Sequence, residues 1–130
     1  MANTTKTPQE IRDHLDQFIG TTQYHKHPLG LLLTDGVVAA CELMKCWWLT
    51  DVIASHQWDK KIKANPSFIV WRFVKRDDDS ATVSAHSDWD DENPKAFKAL
   101  VSQEIPFTNL PLDEFVLWQE SGVLLLRSEH

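Results

Sequence analysis

Apolar positions follow a helical period in the first part of the chain and a two-residue period in the rest. Near the start, Thr7 and Pro8, with a glutamate three residues past the threonine, form a capping-box pattern. Apolar residues at helical spacing follow, so the pattern predicts a helix that begins after Thr7 and ends by Gly20. Residues 21–30 then predict a loop, and the apolar triplet 31–33 predicts a short buried strand.

The polar positions slip out of phase midway through the segment 34–55. A straight helix with Glu42 on its wet side requires further polar residues at the same angular position, where the chain has leucine and isoleucine instead. The slip predicts two helices, 35–45 and 47–57, with a break near Cys46. The alternative is one helix that is buried nearly all round.

From residue 68 onward, short stretches rich in β-branched and aromatic residues alternate with turn-forming residues. They predict strands over 68–75, 81–87, 101–107, 115–119 and 123–127. Gly122 can supply a positive φ for a hairpin between the last two strands, and residues 95–100 suit one helical turn. Helices first and strands afterwards predict an α+β fold: an antiparallel sheet of about five strands with the N-terminal helices packed on one face. One domain is expected over residues 1–130.

The composition of the chain indicates the cellular compartment of the protein. The first residues are polar and the longest apolar runs are a few residues, so the sequence has neither the apolar core of a secretion signal nor a membrane span. Two cysteines without a secretion signal are expected to be reduced thiols. We therefore expect a cytoplasmic protein that does not enter a membrane.

The net charge of −6 is concentrated in an acidic region between residues 77 and 93. This region has seven acids and no lysine or arginine: Asp77, Asp78, Asp79, Asp88, Asp90, Asp91 and Glu92. Direct nucleic-acid binding is disfavoured, because phosphate contacts need a concentrated basic surface. Trp89 lies among these acids, and an aromatic anchor ringed by acids suits a basic protein partner. The acidic region with Trp89 is our candidate contact surface.

A second group of polar residues offers acid–base chemistry. His27, Asp35 and Asp51 are expected around the helical half, and a carboxylate that orients a histidine is the minimum of a general base. Asp35 is also explained as a helix cap and Asp51 as a polar-face residue. The leading interpretation is therefore a non-enzymatic protein-binding or inhibitory accessory module. The alternative is a small hydrolase or transferase that uses these three residues, which requires a pocket where they converge.

No metal or cofactor is expected. His25 and His27 could ligate together, but zinc needs three or four converging ligands, and Cys41 and Cys46 are poorly spaced on a helix. Cys41 lies on an apolar face, where a thiol behaves as an inert small hydrophobe, whereas Cys46 at the break is the more exposable. The acidic region lacks the glycine of a calcium loop, and the chain has neither a Gly-x-Ser-x-Gly motif nor a phosphate loop.

The tryptophans divide between core and surface. Trp71 is expected in the core. Trp47 and Trp48 are adjacent on a helix, about 100° apart, so both are buried only if the helix is covered broadly. One of them, with Trp58 or Trp89, is expected at the surface, where tryptophan is enriched in binding sites. Self-association through tryptophans is a third alternative.

Several short motifs stand out as a set. They are Thr22 and Tyr24 with His27-Pro28, then Thr34-Asp35-Gly36, then Trp48-Leu49 with Asp51, Ile53, Ala54 and Ser55, and a closing segment Leu124-Leu125-Leu126 with Ser128-Glu129. The set resembles a family of small uncharacterised bacterial proteins, a domain of unknown function often found near mobile elements. The resemblance covers most of the chain from about Leu15 onward, and its Trp-Leu-x-Asp-x-Ile-Ala-Ser part is the specific one. Where that family tends to have small residues, this chain has Lys45-Cys46-Trp47. The resemblance implies the fold plan and brings no activity.

Overall fold

A computed structural model of the chain describes residues 7–88, 92–93 and 97–130. Its elements in chain order are α1 (Pro8–Asp16), β1 (Tyr24–Lys26), β2 (Leu32–Thr34), α2 (Asp35–Met44), α3 (Trp47–Ser55), α4 (Lys60–Lys63), β3 (Ile69–Lys75), β4 (Ala81–His86), β5 (Val101–Ile105), β6 (Glu114–Glu120) and β7 (Val123–Leu125), then a short 3-10 helix (Arg127–Glu129). The helices lie in the first half and most strands in the second, so the predicted α+β class is confirmed.

The described residues form one mixed sheet of seven strands in the order β1-β2-β7-β6-β3-β4-β5. Strands β2 and β7 are parallel, with Leu32 opposite Val123 and Leu33 opposite Leu124, and the other neighbours are antiparallel. The prediction of about five antiparallel strands was therefore wrong in strand number and in the orientation of one pair. Strand β1 lies in the predicted loop 21–30 and has three residues, too few to show a two-residue period.

The predicted helix starts are confirmed by their caps. The Thr7 hydroxyl accepts the Glu10 N–H at 3.2 Å, and the Glu10 carboxylate accepts the Thr7 N–H at 3.0 Å. Helix α1 ends at Asp16, about one turn before Gly20, through bonds of the tighter 3-10 type such as that from the Phe18 N–H to the Leu15 carbonyl. The short helix α4 lies between α3 and β3, where the sequence pattern predicted neither a helix nor a strand.

Helices α2 and α3 are separated by two residues, Lys45 and Cys46, of which Lys45 is left-handed. Lys45 has φ 54° and ψ 47°, and the Cys46 N–H donates to the Cys41 carbonyl at 3.1 Å. The predicted break near Cys46 is confirmed, and the alternative of one continuous helix is wrong. The break rotates α3, so that Leu49 and Ile53 contact the sheet.

The helices cover one face of the sheet. Ile69, Trp71 and Phe73 of β3 alternate toward this face and are each 1% exposed. The Trp71 indole donates to Gln119 Oε1 at 2.9 Å, which satisfies its polar atom inside the core. Trp71 is thus a core residue, as predicted. The opposite face of β3, β4 and β5 carries Arg72, Ser84 and other polar residues at alternate positions.

The two late turns follow the sequence pattern in part. Ser121 and Gly122 join β6 to β7 with φ of 51° and 84°, which confirms the predicted hairpin with a positive-φ glycine. The predicted helical turn over 95–100 falls partly outside the described residues, and residues 97–100 are not helical. None of the helices in the described part of the chain is long and apolar enough to cross a membrane.

Candidate functional site

Asp35, at the first position of α2, collects polar groups from the segment before β2. Its Oδ1 lies 2.8 Å from His25 Nε2, and its Oδ2 accepts the Thr22 N–H at 3.0 Å and the Thr22 hydroxyl at 2.9 Å. The hydrogen bond from His25, followed by those from Thr22, holds the pKa of Asp35 well below its usual range. The carboxylate is therefore ionised at neutral pH, and it can orient His25 but cannot serve as a general acid.

His27 connects the loop after β1 to helix α3 through hydrogen bonds of its ring nitrogens. Its Nε2 lies 2.7 Å from Asp51 Oδ1, and its Nδ1 accepts the Leu29 N–H at 3.0 Å. Because Nδ1 accepts a hydrogen bond, the neutral ring carries its proton on Nε2 and donates it to Asp51. The ring is buried, with 6% of the residue exposed. Both ring nitrogens are occupied, so His27 is not poised to take a proton from a substrate.

The predicted cluster of His27, Asp35 and Asp51 is thus two separate histidine–carboxylate pairs. Asp51 pairs with His27, whereas Asp35 pairs with His25. From the sequence, His25 was a candidate only for metal binding. The two-residue spacing of the histidines places both on one side of the extended β1 segment. That spacing was the signal in the sequence that could have identified His25 as a second histidine facing a carboxylate. Within the described residues, no three His, Cys, Asp or Glu side chains are grouped so that they could hold a metal ion.

Glu129, in the last segment of the sequence, accepts hydrogen bonds at the N-terminus of α2. Its Oε1 accepts the Thr34 hydroxyl at 2.5 Å and the Leu126 N–H at 3.0 Å, and its Oε2 accepts the Gly36 N–H at 3.1 Å. A Cβ on Gly36 would lie 2.5 Å from Glu129 Oε1, so the approach requires glycine. The Thr34 hydroxyl also accepts the Val37 N–H at 3.3 Å, so Thr34 caps α2, and Asp35, which was explained as a helix cap, is instead the first residue of the helix.

The comparisons with known proteins identify a family. The model of the family of unknown function DUF6876 matches residues 9–130. The chain belongs to this family. The predicted membership of an uncharacterised family is therefore confirmed. No curated protein and no solved structure matches the chain. Membership of DUF6876 brings no activity, so the function has to be argued from the side chains.

The acidic region of this DUF6876 member is described in part. Asp77, Asp78 and Asp79 are exposed in the turn between β3 and β4, where Asp78 accepts the Ser80 N–H at 3.0 Å and Asp79 has φ 66°. The bonds from Ser80 lower the pKa of Asp78, and they give it a structural role in the turn. Asp88 and Glu92 are also exposed. Trp89, Asp90 and Asp91 lie outside the described residues, so the acid-ringed tryptophan stays a prediction.

Two tryptophans are exposed on the helical side of the molecule. Trp47 is 43% exposed and Trp58 is 59% exposed, whereas Trp48 is half-buried with its ring edge against Phe73 at 6.1 Å. Of the adjacent tryptophans, Trp47 is thus the one at the surface. Asp51 lies one helical turn after Trp47, and its side chain is 69% exposed.

Both thiols are buried. Cys46 is 1% exposed, so the expectation that it is the more exposable thiol was wrong. Its side chain points back along the helix break toward the Ala40 carbonyl, 3.8 Å away. A hydrogen bond with Cys46, followed by burial, raises the pKa of Cys41 far above its usual range. Cys41 is therefore a neutral thiol of the core and not a nucleophile.

Proposed function

We propose that this protein is a non-enzymatic protein-binding module, an accessory or inhibitory protein that acts by contact with a partner. The observation that supports it best is the pair of exposed tryptophans at the two ends of α3. Large aromatic side chains at the surface are enriched among the residues that dominate binding energy. A soluble monomer gains nothing in stability by leaving two such rings in water.

Trp47, Asp51 and Ser55 follow each other at four-residue spacing along α3 and are all exposed, so they share one face of the helix. Trp58 is exposed in the turn just after α3 ends, and we include it in the same candidate contact surface. We name this surface the α3 face. It offers a partner two aromatic anchors with polar residues between them, a pattern in which the anchors give affinity and the polar groups give specificity.

The acidic region adds a second contact to the proposal. Its described acids are exposed and lie at the two ends of β4: Asp77, Asp78 and Asp79 in the turn before the strand, and Asp88 and Glu92 after it. Complementary charge accelerates the encounter of two proteins more than it strengthens the final complex. We therefore propose a basic partner that is attracted by the acidic region, with Trp89 as an additional anchor.

The alternative, a small hydrolase or transferase built on His27, Asp35 and Asp51, has less support. A general base needs a ring nitrogen that can face a substrate, and both nitrogens of His27 bind the protein itself. Asp35 is tied to three groups of its own chain. These bonds fasten the loop around β1 to helices α2 and α3, which is a structural task.

The test is partner capture with matched aromatic variants. Wild type, the double variant Trp47→Ala/Trp58→Ala and the control Phe107→Ala are immobilised and exposed to lysate, and the bound proteins are compared by mass spectrometry. Phe107 is 68% exposed and lies outside α3, so its loss removes a comparable apolar surface elsewhere. We expect one basic protein that wild type and Phe107→Ala retain, and that the double variant loses at least about tenfold, a change worth about 1.4 kcal/mol.

Two results would contradict the proposal. One is a partner that the double variant retains as well as wild type. The other is self-association, seen by light scattering of purified wild type as a dimer that the double variant does not form. In that case the α3 face would be an interface between copies of this chain.

A further inference from the structure

Strand β4 carries a serine and a histidine that contact each other on the face of the sheet opposite the helices. Ser84 Oγ lies 2.9 Å from His86 Nε2, and His86 Nδ1 lies 3.0 Å from the Phe97 carbonyl oxygen. The two residues are two apart on one strand, so their side chains point to the same face. A serine, a base and a group that orients the base are thus aligned in one row.

The proton positions follow from the hydrogen bonds. A carbonyl oxygen only accepts, so His86 Nδ1 must carry the proton that binds the Phe97 carbonyl. In the neutral ring Nε2 is then the acceptor, and the Ser84 hydroxyl donates to it. Burial lowers the pKa of His86, which keeps the ring neutral at pH 7 and its Nε2 lone pair available. This is the tautomer in which a histidine can take a proton from serine.

Other serine hydroxyls of the described chain donate to weaker bases. Ser55 donates to the Val52 carbonyl at 2.6 Å and Ser128 donates to the Leu15 carbonyl at 3.3 Å. Ser80 donates to Asp78, whose pKa is lowered. A carbonyl oxygen does not accept a proton at neutral pH, and an acidic carboxyl accepts one poorly. Ser84 is bonded instead to an imidazole, whose ordinary pKa is near neutral.

Two side chains lie opposite Ser84 in the sheet. In the sheet register Arg72 of β3 lies directly opposite Ser84, and Ser102 of β5 lies opposite on the other side. Directly opposite residues have Cβ atoms about 5 Å apart. The Arg72 guanidinium binds the carboxylate of Glu114 on β6, so its charge is already paired. Ser84 is half-buried, so part of the residue remains open to solvent.

We propose that Ser84 is an acyl acceptor activated by His86, and that an activated ester of a carboxylic acid acylates it. Ser84 Oγ attacks the carbonyl carbon, and its proton passes to His86 Nε2. When the tetrahedral intermediate collapses, the bond to the leaving alkoxide, phenolate or thiolate breaks and the Oγ–carbon ester bond remains. The proton on His86 returns to the leaving group or to solvent. One acylation uses one donor per chain and needs no turnover, so this site goes beyond the binding function and does not depend on it.

The experiment uses p-nitrophenyl acetate as the acyl donor and the full chain at neutral pH. Intact mass, the release of p-nitrophenolate and peptide mapping are measured together. We expect one acetyl group per chain, located on Ser84, with one equivalent of p-nitrophenolate released. Ser84→Ala should abolish this product, and His86→Gln should slow it about 100-fold or more, since general-base assistance is worth 10²–10⁴ in rate.

Ser102→Ala is the matched control. It removes an exposed serine hydroxyl from the neighbouring strand that lies opposite Ser84, and it should be acetylated at the wild-type rate. The proposal is overturned if the map places the acetyl group on lysines or other serines. It is equally overturned if Ser84→Ala or a folded His86→Gln is acetylated as fast as wild type. The wild-type map and Ser84→Ala decide the question even if His86→Gln does not fold.

Discussion

Asp35 accepts hydrogen bonds from His25 and Thr22 that stabilise its ionised form in the folded state. Its pKa in the folded protein is therefore below the ordinary value of 3.8, which the unfolded chain restores. A group whose pKa is lowered by folding stabilises the protein above its unfolded pKa, and this stabilisation is lost as the pH falls through the folded pKa. At the scale of single residues, Asp35 thus makes the protein sensitive to acid.

We predict that Asp35→Asn unfolds more easily than wild type at pH 7 and that the difference shrinks as the pH falls below about 4. The asparagine keeps the shape of the side chain but has no charge to lose. Thermal unfolding measured between pH 7 and pH 3 checks this. Asp113→Asn, at an exposed position, should follow the wild-type curve at each pH. A constant gap between Asp35→Asn and wild type over that range would contradict the titration argument.

Lys45 sets the angle between two elements. A lysine in the left-handed region has its Cβ close to the following carbonyl oxygen, which costs about 1–2 kcal/mol, and glycine avoids this contact. Glycine also loses more backbone entropy on folding, about 0.5–1 kcal/mol. The balance favours glycine by a fraction of a kcal/mol, whereas a β-branched residue is strained further.

We therefore predict that Lys45→Gly is at least as stable as wild type and that Lys45→Val is less stable by about 1 kcal/mol or more. Urea unfolding measures both. Glu42→Gly, at an exposed position inside α2, is the control and should lose about 1 kcal/mol, because there the helix needs no left-handed residue. If Lys45→Gly lost as much as Glu42→Gly, the break would not depend on the conformation of residue 45.

Local signals explain which elements could be predicted. The caps of α1 and α2, the break at Lys45 and the hairpin around Gly122 depend on neighbours within a few residues, and the sequence displays all of them. The parallel pairing of β2 with β7 depends on Leu32 and Val123, which lie far apart in the chain. The three-residue strand β1 is too short to show a period, and the parallel orientation of a strand pair leaves no pattern in either strand. The presence of a mostly antiparallel sheet was therefore predicted, but its number of strands and its parallel pair were not.

The candidate sites show the same limit. The sequence grouped His27, Asp35 and Asp51 without assigning pairs. The bond between Asp35 and His25 could not be predicted, because the direction of each side chain depends on the pairing of β1 with β2. Ser84 and His86 are adjacent on one face of a strand that was predicted. The sequence could not show which nitrogen of His86 carries the proton, because that is fixed by the Phe97 carbonyl oxygen on another segment.

In the whole molecule, Glu129 and strand β7 join the N-terminal part of the chain to the C-terminal part. The unit of β1, β2 and α2 contacts the sheet through the short parallel pairing of β2 with β7. Glu129 adds two hydrogen bonds at the start of α2, from the Thr34 hydroxyl and the Gly36 N–H, and a carboxylate there also interacts favourably with the helix dipole. The antiparallel strands β3, β4 and β6 have long ladders of their own. Local opening should therefore begin in the N-terminal unit.

We predict that Glu129→Ala lowers the free energy of unfolding by about 1–3 kcal/mol, because the Thr34 hydroxyl and the Gly36 N–H lose their charged acceptor. Hydrogen exchange should show faster exchange in β1, β2 and α2, with β3 and β4 nearly unchanged. Glu42→Ala removes a carboxylate from the exposed side of α2 and is the control that should leave the exchange pattern intact. Uniform loss of protection over all strands would show that the N-terminal unit does not open separately.

Gly36→Ala tests the same contact from the other partner. The added Cβ would lie 2.5 Å from Glu129 Oε1 and 2.7 Å from Leu126 Cδ1, so the carboxylate must leave its three donors or the C-terminal segment must shift. Overpacking of this kind costs about 1–3 kcal/mol. Since both substitutions break one set of hydrogen bonds, the double variant Gly36→Ala/Glu129→Ala should lose less than the sum of the single losses. Additive losses in urea unfolding would mean that Gly36 is required for a reason other than the approach of Glu129.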